Sequence, residues 1–259
     1  MRPRQLGRRR RTELLRLGWG VRLHEEQAPE PLFPYLSEGP QPCQLRIEAI
    51  SPWRPISRTL LGMTNAKKRG VFCLEGPWST KLDHRASMSP LLQLAEDVRG
   101  VKFERRDIAT REEANFYLKK WAQRGYASSH PIAILAFHGH SGNIELGRGS
   151  MDLEEIGGIL EGKCDGRYIH FDSCKVFNVS VKRIREFRQQ TGARVVSGYR
   201  KDIDWIESAA FSLHILDALA DGEPILDSLR KMHRRNGELA QRLGFRAVGA
   251  RGELGFSRS

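Results

Sequence analysis

Hydrophobic and polar positions follow two different periodicities from residue 69 onward. Short strand-like runs occupy residues 71–74, 101–105, 131–137, 167–171 and 193–197. The segments between them place apolar residues on one helical face, as Ala114, Leu118 and Trp121 do. Strands that alternate with helices in this way are typical of an α/β fold, in which helices cover both faces of a mainly parallel sheet.

Capping residues predict where several of the helices begin. Ser89 is followed by Pro90, which suits a helix N-terminus, and residues 110–113 have the spacing of a capping box. Asp204 and Glu207 open a strongly apolar helix in the same way. The last predicted helix runs to about Gln241.

The chain divides into three parts on this pattern. Residues 1–66 lack a sustained periodicity and are interrupted by prolines, so we predict a basic, Pro-rich and partly disordered arm. Residues 67–241 form the predicted α/β domain. Residues 242–259 are predicted to be a basic tail rich in Gly and Arg.

The basic charge of the chain is concentrated in its flanks. The formal net charge is +12, but residues 71–224 contribute −1, whereas 1–70 contribute +8 and 225–259 contribute +5. We therefore expect that nucleic acid is not a ligand of the neutral core. The arginines at 8–11 are either a contact for phosphate or for an acidic regulatory partner, or part of a solvated arm.

The sequence shows no apolar targeting or membrane-spanning segment and no paired cysteine spacing, which predicts a cytoplasmic protein. Arg16 and Arg22 interrupt any apolar stretch after the arginines, and no run approaches the length of a membrane span. The cysteines lack paired spacing, so reduced thiols are expected. We predict packing or incidental exposure for Cys43, Cys73 and Cys164.

Two of the strand-like runs end on reactive side chains. Residues 132–137 lead into His138, and residues 168–171 lead to Asp172 and Cys174. The carboxyl ends of parallel strands meet at one edge of a sheet, which is where ligand sites form. A cysteine beside an imidazole is the arrangement of a thiolate nucleophile and its base.

Other chemistry is open to the same residues. His140 is a rival base, because side chains two apart on a strand point the same way. His138, His140, His170 and Cys174 together could ligate zinc, although no carboxylate completes the usual pattern. A cysteine phosphatase needs an arginine six residues after the nucleophile, where this chain has Ser180.

A hydrophobic strand ending in His-Gly, followed one helix later by a strand ending in Asp-Ser-Cys, resembles the caspase-like cysteine peptidases. That group includes caspases, metacaspases, legumains, separases and CHAT-type bacterial proteases, and the resemblance covers roughly residues 69–222. It implies a three-layer sandwich with helices on both faces of a mainly parallel sheet. It also implies a peptidase without a cofactor. Because related bacterial proteins are often tied to defence or regulated cell death, the resemblance implies a role of that kind.

The same resemblance assigns roles to individual residues. His138 would be the general base, Cys174 the nucleophile, and the N–H groups of Gly139 and Cys174 the oxyanion hole. Asp172 is similar to the metacaspase aspartate that binds a basic P1 side chain. The sequence departs from the family after the nucleophile, where Lys175 follows in place of the usual residues.

The segment after the last strand of the predicted domain is a further candidate for substrate binding. By the resemblance, Asp202 or Asp204 would meet a basic substrate residue and Trp205 would form a pocket wall. The alternative for Asp204 is helix capping, and the alternative for Trp205 is core packing.

The sequence therefore predicts a caspase-like cysteine endopeptidase that forms an acyl-thioester and cleaves after Arg or Lys in a protein or peptide. The alternative is a catalytically silent module of the same fold that binds a partner or nucleic acid through its basic flanks.

Overall fold

A computed structural model of the chain describes residues 69–254, except 82 and 221. The predicted arm at 1–66 and Cys43 lie outside the described residues, as does the end of the predicted tail at 255–259. Within the described ranges, no helix is long and apolar enough to cross a membrane.

The centre of the fold is a seven-stranded mixed sheet. In spatial order, its strands are β10 (Gly252–Glu253), β9 (Phe245–Gly249), β8 (Val195–Tyr199), β7 (Tyr168–Asp172), β3 (Ile132–Ala136), β1 (Val71–Glu75) and β2 (Phe103–Asp107). The strands from β8 to β2 are parallel, whereas β9 is antiparallel to β8 and β10 is antiparallel to β9. The predicted α/β class with a mainly parallel sheet is confirmed.

Near-continuous apolar strands form the middle of this sheet. All five residues of β3, and all five of β7, are buried. Strands covered on both faces lose the alternation of apolar and polar residues, which is why the run at 132–136 reads as uniformly hydrophobic.

Eight helices are described within residues 69–254. They are α1 (Ser89–Arg99), α2 (Arg111–Trp121), α3 (Arg124–Ser129), α4 (Leu153–Ile159), α5 (Val181–Thr191), α6 (Trp205–Ala220), α7 (Ile225–Arg235) and α8 (Gly237–Leu243). One buried cluster joins the sheet to α2, α4 and α5, and another joins it to α1, α6, α7 and α8. The helices therefore cover both faces of the sheet.

Most of the predicted caps are present, and one differs. The Thr110 hydroxyl and the Glu113 side chain form the capping box of α2. Ser89 does not cap α1, which begins at Ser89 itself. The carboxylate of Glu75 accepts from Met88 N–H at 2.8 Å, and the Ser87 hydroxyl accepts from Ser89 N–H at 3.1 Å. Glu75, which is distant in the sequence, thus accepts a hydrogen bond from the main chain at the start of α1.

A small antiparallel sheet follows β3 and was not predicted. It consists of β4 (Gly139–His140), β5 (Asn143–Glu145) and β6 (Ser150–Asp152). These strands are two or three residues long, too short to produce a recognisable period. They fold the segment after His138 back on itself.

The predicted domain boundary at residue 241 is too early. Residues 245–253, assigned to a tail by sequence, form the two antiparallel strands β9 and β10 of the main sheet. Arg246 breaks the apolar pattern of β9, yet it is only 8% exposed. Its guanidinium donates to the carbonyls of Phe177 and Val179 and pairs with Glu253, so the charge is compensated.

Candidate functional site

The candidate site lies where β3 and β7 end side by side. These strands are hydrogen-bonded neighbours, with Ala136 opposite Asp172. His138 and Cys174 each follow two residues after this pair. The two strand ends singled out in the sequence therefore meet at one edge of the sheet.

Ser173 ties the two strand ends together. Its buried hydroxyl donates to Leu135 O and accepts from Phe137 N–H, both at 3.1 Å. This hydroxyl bridges β3 to the loop that carries Cys174, so the separation of the two motifs is fixed by hydrogen bonds. The sequence analysis assigned no role to Ser173.

His138, Cys174 and Asp172 line a single cavity of about 150 Å³. Its other walls are mostly apolar and include Trp78 and Trp205. The two indole rings are 4.8 Å apart in an edge-to-face arrangement, and Trp78 has a similar arrangement with the His138 ring at 5.4 Å. The predicted position of Trp205 in the wall of a pocket agrees with this geometry.

The imidazole of His138 is oriented by a main-chain carbonyl. Its Nε2 lies 3.0 Å from Trp78 O. A carbonyl oxygen only accepts, so Nε2 carries the hydrogen and Nδ1 is left with the lone pair that can take a proton. Trp78 O is therefore a third member of the site, which the sequence could not identify because every residue has a carbonyl.

Cys174 differs from the other cysteines of the described residues. It is half-buried, whereas Cys73 and Cys164 are buried. Burial raises the pKa of the Cys73 thiol well above its usual value and that of Cys164 to about 12, so both are held as unreactive thiols. The Cys174 sulfur instead accepts a hydrogen bond from Ile203 N–H at 3.4 Å.

Asp172 is a buried carboxylate in the cavity wall. It is 5% exposed, and its Oδ2 accepts from the Ser212 hydroxyl at 2.6 Å. Burial raises the pKa of this carboxyl to about 7. The sequence held a weak signal for this partner, because Ser212 lies among the apolar residues of helix α6, on the face that is buried.

Gly139 packs directly against the nucleophile loop. A Cβ on this residue would lie 2.6 Å from Cys174 O, so only glycine fits. The missing side chain thus allows the close approach of the Cys174 loop. Glu145 N–H donates to His138 O, which makes the next pair, Gly139 and Ile144, a non-hydrogen-bonded one. The Gly139 N–H therefore points away from β5, as an oxyanion donor would.

Asp202 and Asp204 are used elsewhere and do not line the cavity. Asp202 is exposed and pairs with Lys175 at 2.5 Å. Asp204 accepts from the N–H groups of Ile206 and Glu207 at 2.9 and 3.0 Å, and so caps α6. Of the carboxylates proposed to meet substrate, Asp172 is the one that faces the cavity.

The histidines near the site have separate surroundings. His138 lines the cavity, while His140 is exposed and pairs with Glu145. His170 is buried beside the Ser197 hydroxyl, and burial lowers its pKa to about 3, so it is neutral. In the part of the chain that the structure describes, no group of three or more His, Cys, Asp or Glu side chains is arranged to hold a metal ion.

Glu75 supports the cavity wall from behind. Its carboxylate is 1% exposed and accepts from the Trp78 indole N–H at 2.5 Å. It also pairs with Arg105 at 2.7 Å, which balances the buried charge. Glu75 therefore fixes the loop that carries Trp78 and does not contact the cavity itself.

Comparison with known proteins gives one family and no described relative. Residues 68–248 match the model of a "Family of unknown function (DUF6642)", a match that spans more than half of the chain. No curated protein matches the chain.

Proposed function

This chain belongs to a family of unknown function (DUF6642), and we propose that it is a cysteine endopeptidase of the caspase-like type. The observation that carries the proposal is the shared cavity: the half-buried Cys174, an oriented His138 and the buried Asp172 all line it. The His-Gly and Asp-Ser-Cys motifs end neighbouring strands, as that resemblance requires.

The reaction uses Cys174 as the nucleophile. Its thiolate attacks the carbonyl carbon of the scissile peptide bond, and the negative charge moves to the carbonyl oxygen. The N–H groups of Gly139 and Cys174 would stabilise that oxygen. Collapse of the tetrahedral intermediate breaks the C–N bond and leaves the acyl group on sulfur as a thioester.

His138 moves the protons in both halves of the cycle. The imidazolium gives its Nδ1 proton to the leaving amine, and the neutral ring then takes a proton from the water that hydrolyses the thioester. Hydrolysis releases the carboxylic acid and returns the thiolate. The hydrogen bond from Nε2–H to Trp78 O holds the ring in one orientation during these transfers.

The cavity suits a long basic P1 side chain. Its apolar walls accommodate the methylene stem of Arg or Lys, and the Asp172 carboxylate pairs with the cationic end. Asp172 has a hydroxyl partner in Ser212, so a substrate cation would supply its counter-charge.

Two measurements on the full chain test this function. Peptide amides that differ only at P1 are assayed for cleavage, and an Arg-containing electrophilic peptide is assayed for attachment to Cys174 by mass spectrometry. We expect cleavage after Arg or Lys, and loss of it in Cys174→Ala.

The matched control is the pair His138→Gln and His140→Gln, because both side chains lie on the same hairpin and only His138 faces the cavity. We expect the first variant to lose cleavage and the second to retain it. Slow labelling of all cysteines without any cleavage would refute the peptidase and favour the silent binding module.

A further inference from the structure

Lys175 is a residue that the caspase-like pattern does not account for. It directly follows the nucleophile, where the resemblance predicts other residues. It is also the one described residue other than glycine with a positive φ, at 55°. Residues other than glycine rarely adopt this left-handed backbone conformation, so contacts around Lys175 must maintain it.

Both the main chain and the side chain of Lys175 hold the segment after β8. The Lys175 N–H donates to Lys201 O at 3.0 Å, and its ammonium pairs with Asp202 at 2.5 Å. The residue after this ion pair is Ile203, whose N–H donates to the Cys174 sulfur. The nucleophile is therefore contacted by a segment that its own neighbour anchors.

We infer that Lys175 and Asp202 are positioning residues, which hold the Ile203 N–H against the Cys174 sulfur and so favour the thiolate. A hydrogen bond to a charged acceptor is stronger than one to the neutral form, so a donor at this place favours the anion. The catalytic meaning of this arrangement rests on the proposed peptidase function, whereas the reactivity of the sulfur is measured without it.

The sign of one charge effect separates positioning from simple electrostatics. Neutralising Asp202 removes a negative charge near the sulfur, and a direct Coulomb effect alone would then make the thiolate easier to form. If Asp202 acts by holding Ile203 in place, the same change makes the thiolate harder to form. The other titratable groups that line the cavity, His138 and Asp172, are unchanged in this comparison.

The experiment measures the rate of iodoacetamide modification of Cys174 in the full chain as a function of pH. Mass spectrometry of the Cys174 peptide excludes signal from the other cysteines. In Asp202→Asn we expect the midpoint of the profile to rise by about half a pH unit, with roughly threefold slower modification at neutral pH, the scale of an exposed ion pair. Asp202→Glu should restore the original profile.

Two further variants complete the test. Lys175→Asn removes the ammonium while tolerating the left-handed backbone, and its midpoint should rise in the same way. Lys231→Gln breaks an exposed ion pair of similar length, with Glu223 at 2.6 Å, and should leave the profile unchanged. A midpoint that stays or falls in Asp202→Asn overturns the inference. Absence of peptide cleavage with the expected profiles would overturn the peptidase alone.

Discussion

Burial of the Asp172 carboxylate lowers the free energy of unfolding by an amount that depends on pH. Burial raises its pKa from 3.8 to about 7, so the folded chain binds a proton between these values that the unfolded chain does not. A folded-state pKa above the unfolded one means that stability is greatest at low pH and falls as the pH rises from about 4 through 7. Above about pH 7, Asp172 is charged in both states, and the full free-energy penalty of burying the charged carboxylate applies.

The variant Asp172→Asn removes this penalty. A rise of about three pKa units corresponds to roughly 4 kcal/mol, at about 1.4 kcal/mol per unit, and this is an upper bound. The amide keeps an acceptor for the Ser212 hydroxyl but adds two donors that need partners, which costs about 1–3 kcal/mol. We therefore expect the variant to be more stable than the original chain by about 1–3 kcal/mol at pH 8, with a smaller or reversed difference at pH 5.

Urea unfolding followed by tryptophan fluorescence at pH 5, 6, 7 and 8 measures this difference. Asp165→Asn is the control, because Asp165 is exposed and should give no pH-dependent difference. A constant difference between Asp172→Asn and the original chain at all four pH values would refute the reasoning. The same variant should lose cleavage after Arg, which is the usual exchange between stability and a functional charge.

Three further substitutions test the supports of the site. Ser173→Ala leaves the buried Phe137 N–H without its acceptor, and urea unfolding should show a loss of about 1–3 kcal/mol; an unchanged midpoint would count against the bridge. Glu75→Gln removes the buried carboxylate that pairs with Arg105, which keeps Asp107 at 2.9 Å, and should cost about 1–3 kcal/mol in the same assay, whereas a change within about 0.5 kcal/mol would mean that the buried pair is dispensable. Gly139→Ala forces the loop that carries Cys174 to move, because the new Cβ would lie 2.6 Å from Cys174 O. Peptide cleavage should then fall about 10²-fold, and an unchanged rate would contradict this packing.

The parts of the fold with strong local periodicity could be predicted from the sequence. The buried strands and the capping boxes depend on residues close together in the chain, such as Thr110 and Glu113. Strand β9 could not be predicted in the same way, because Arg246 interrupts it and finds its partners far along the chain. A charge that looks exposed in sequence is buried once those partners are known.

Some residues of the candidate site could likewise be predicted from the sequence, and others could not. His138, Cys174 and Asp172 were identifiable because strand ends in a parallel sheet converge. The sequence indicated a substrate contact for Asp202, but could not indicate its pairing with Lys175, which depends on the path of a loop. The Trp78 carbonyl has no side-chain signature at all, and only the fold could reveal it.

Arg246 reaches the carbonyl of Phe177 across 69 residues of sequence. During synthesis, the loop that carries Cys174 therefore emerges from the ribosome before Arg246, which secures that loop, is added to the chain. The nascent chain lacks one support of the nucleophile until β9 has joined the sheet. In the peptidase that we propose, this order of events would delay activity until β9 is in place.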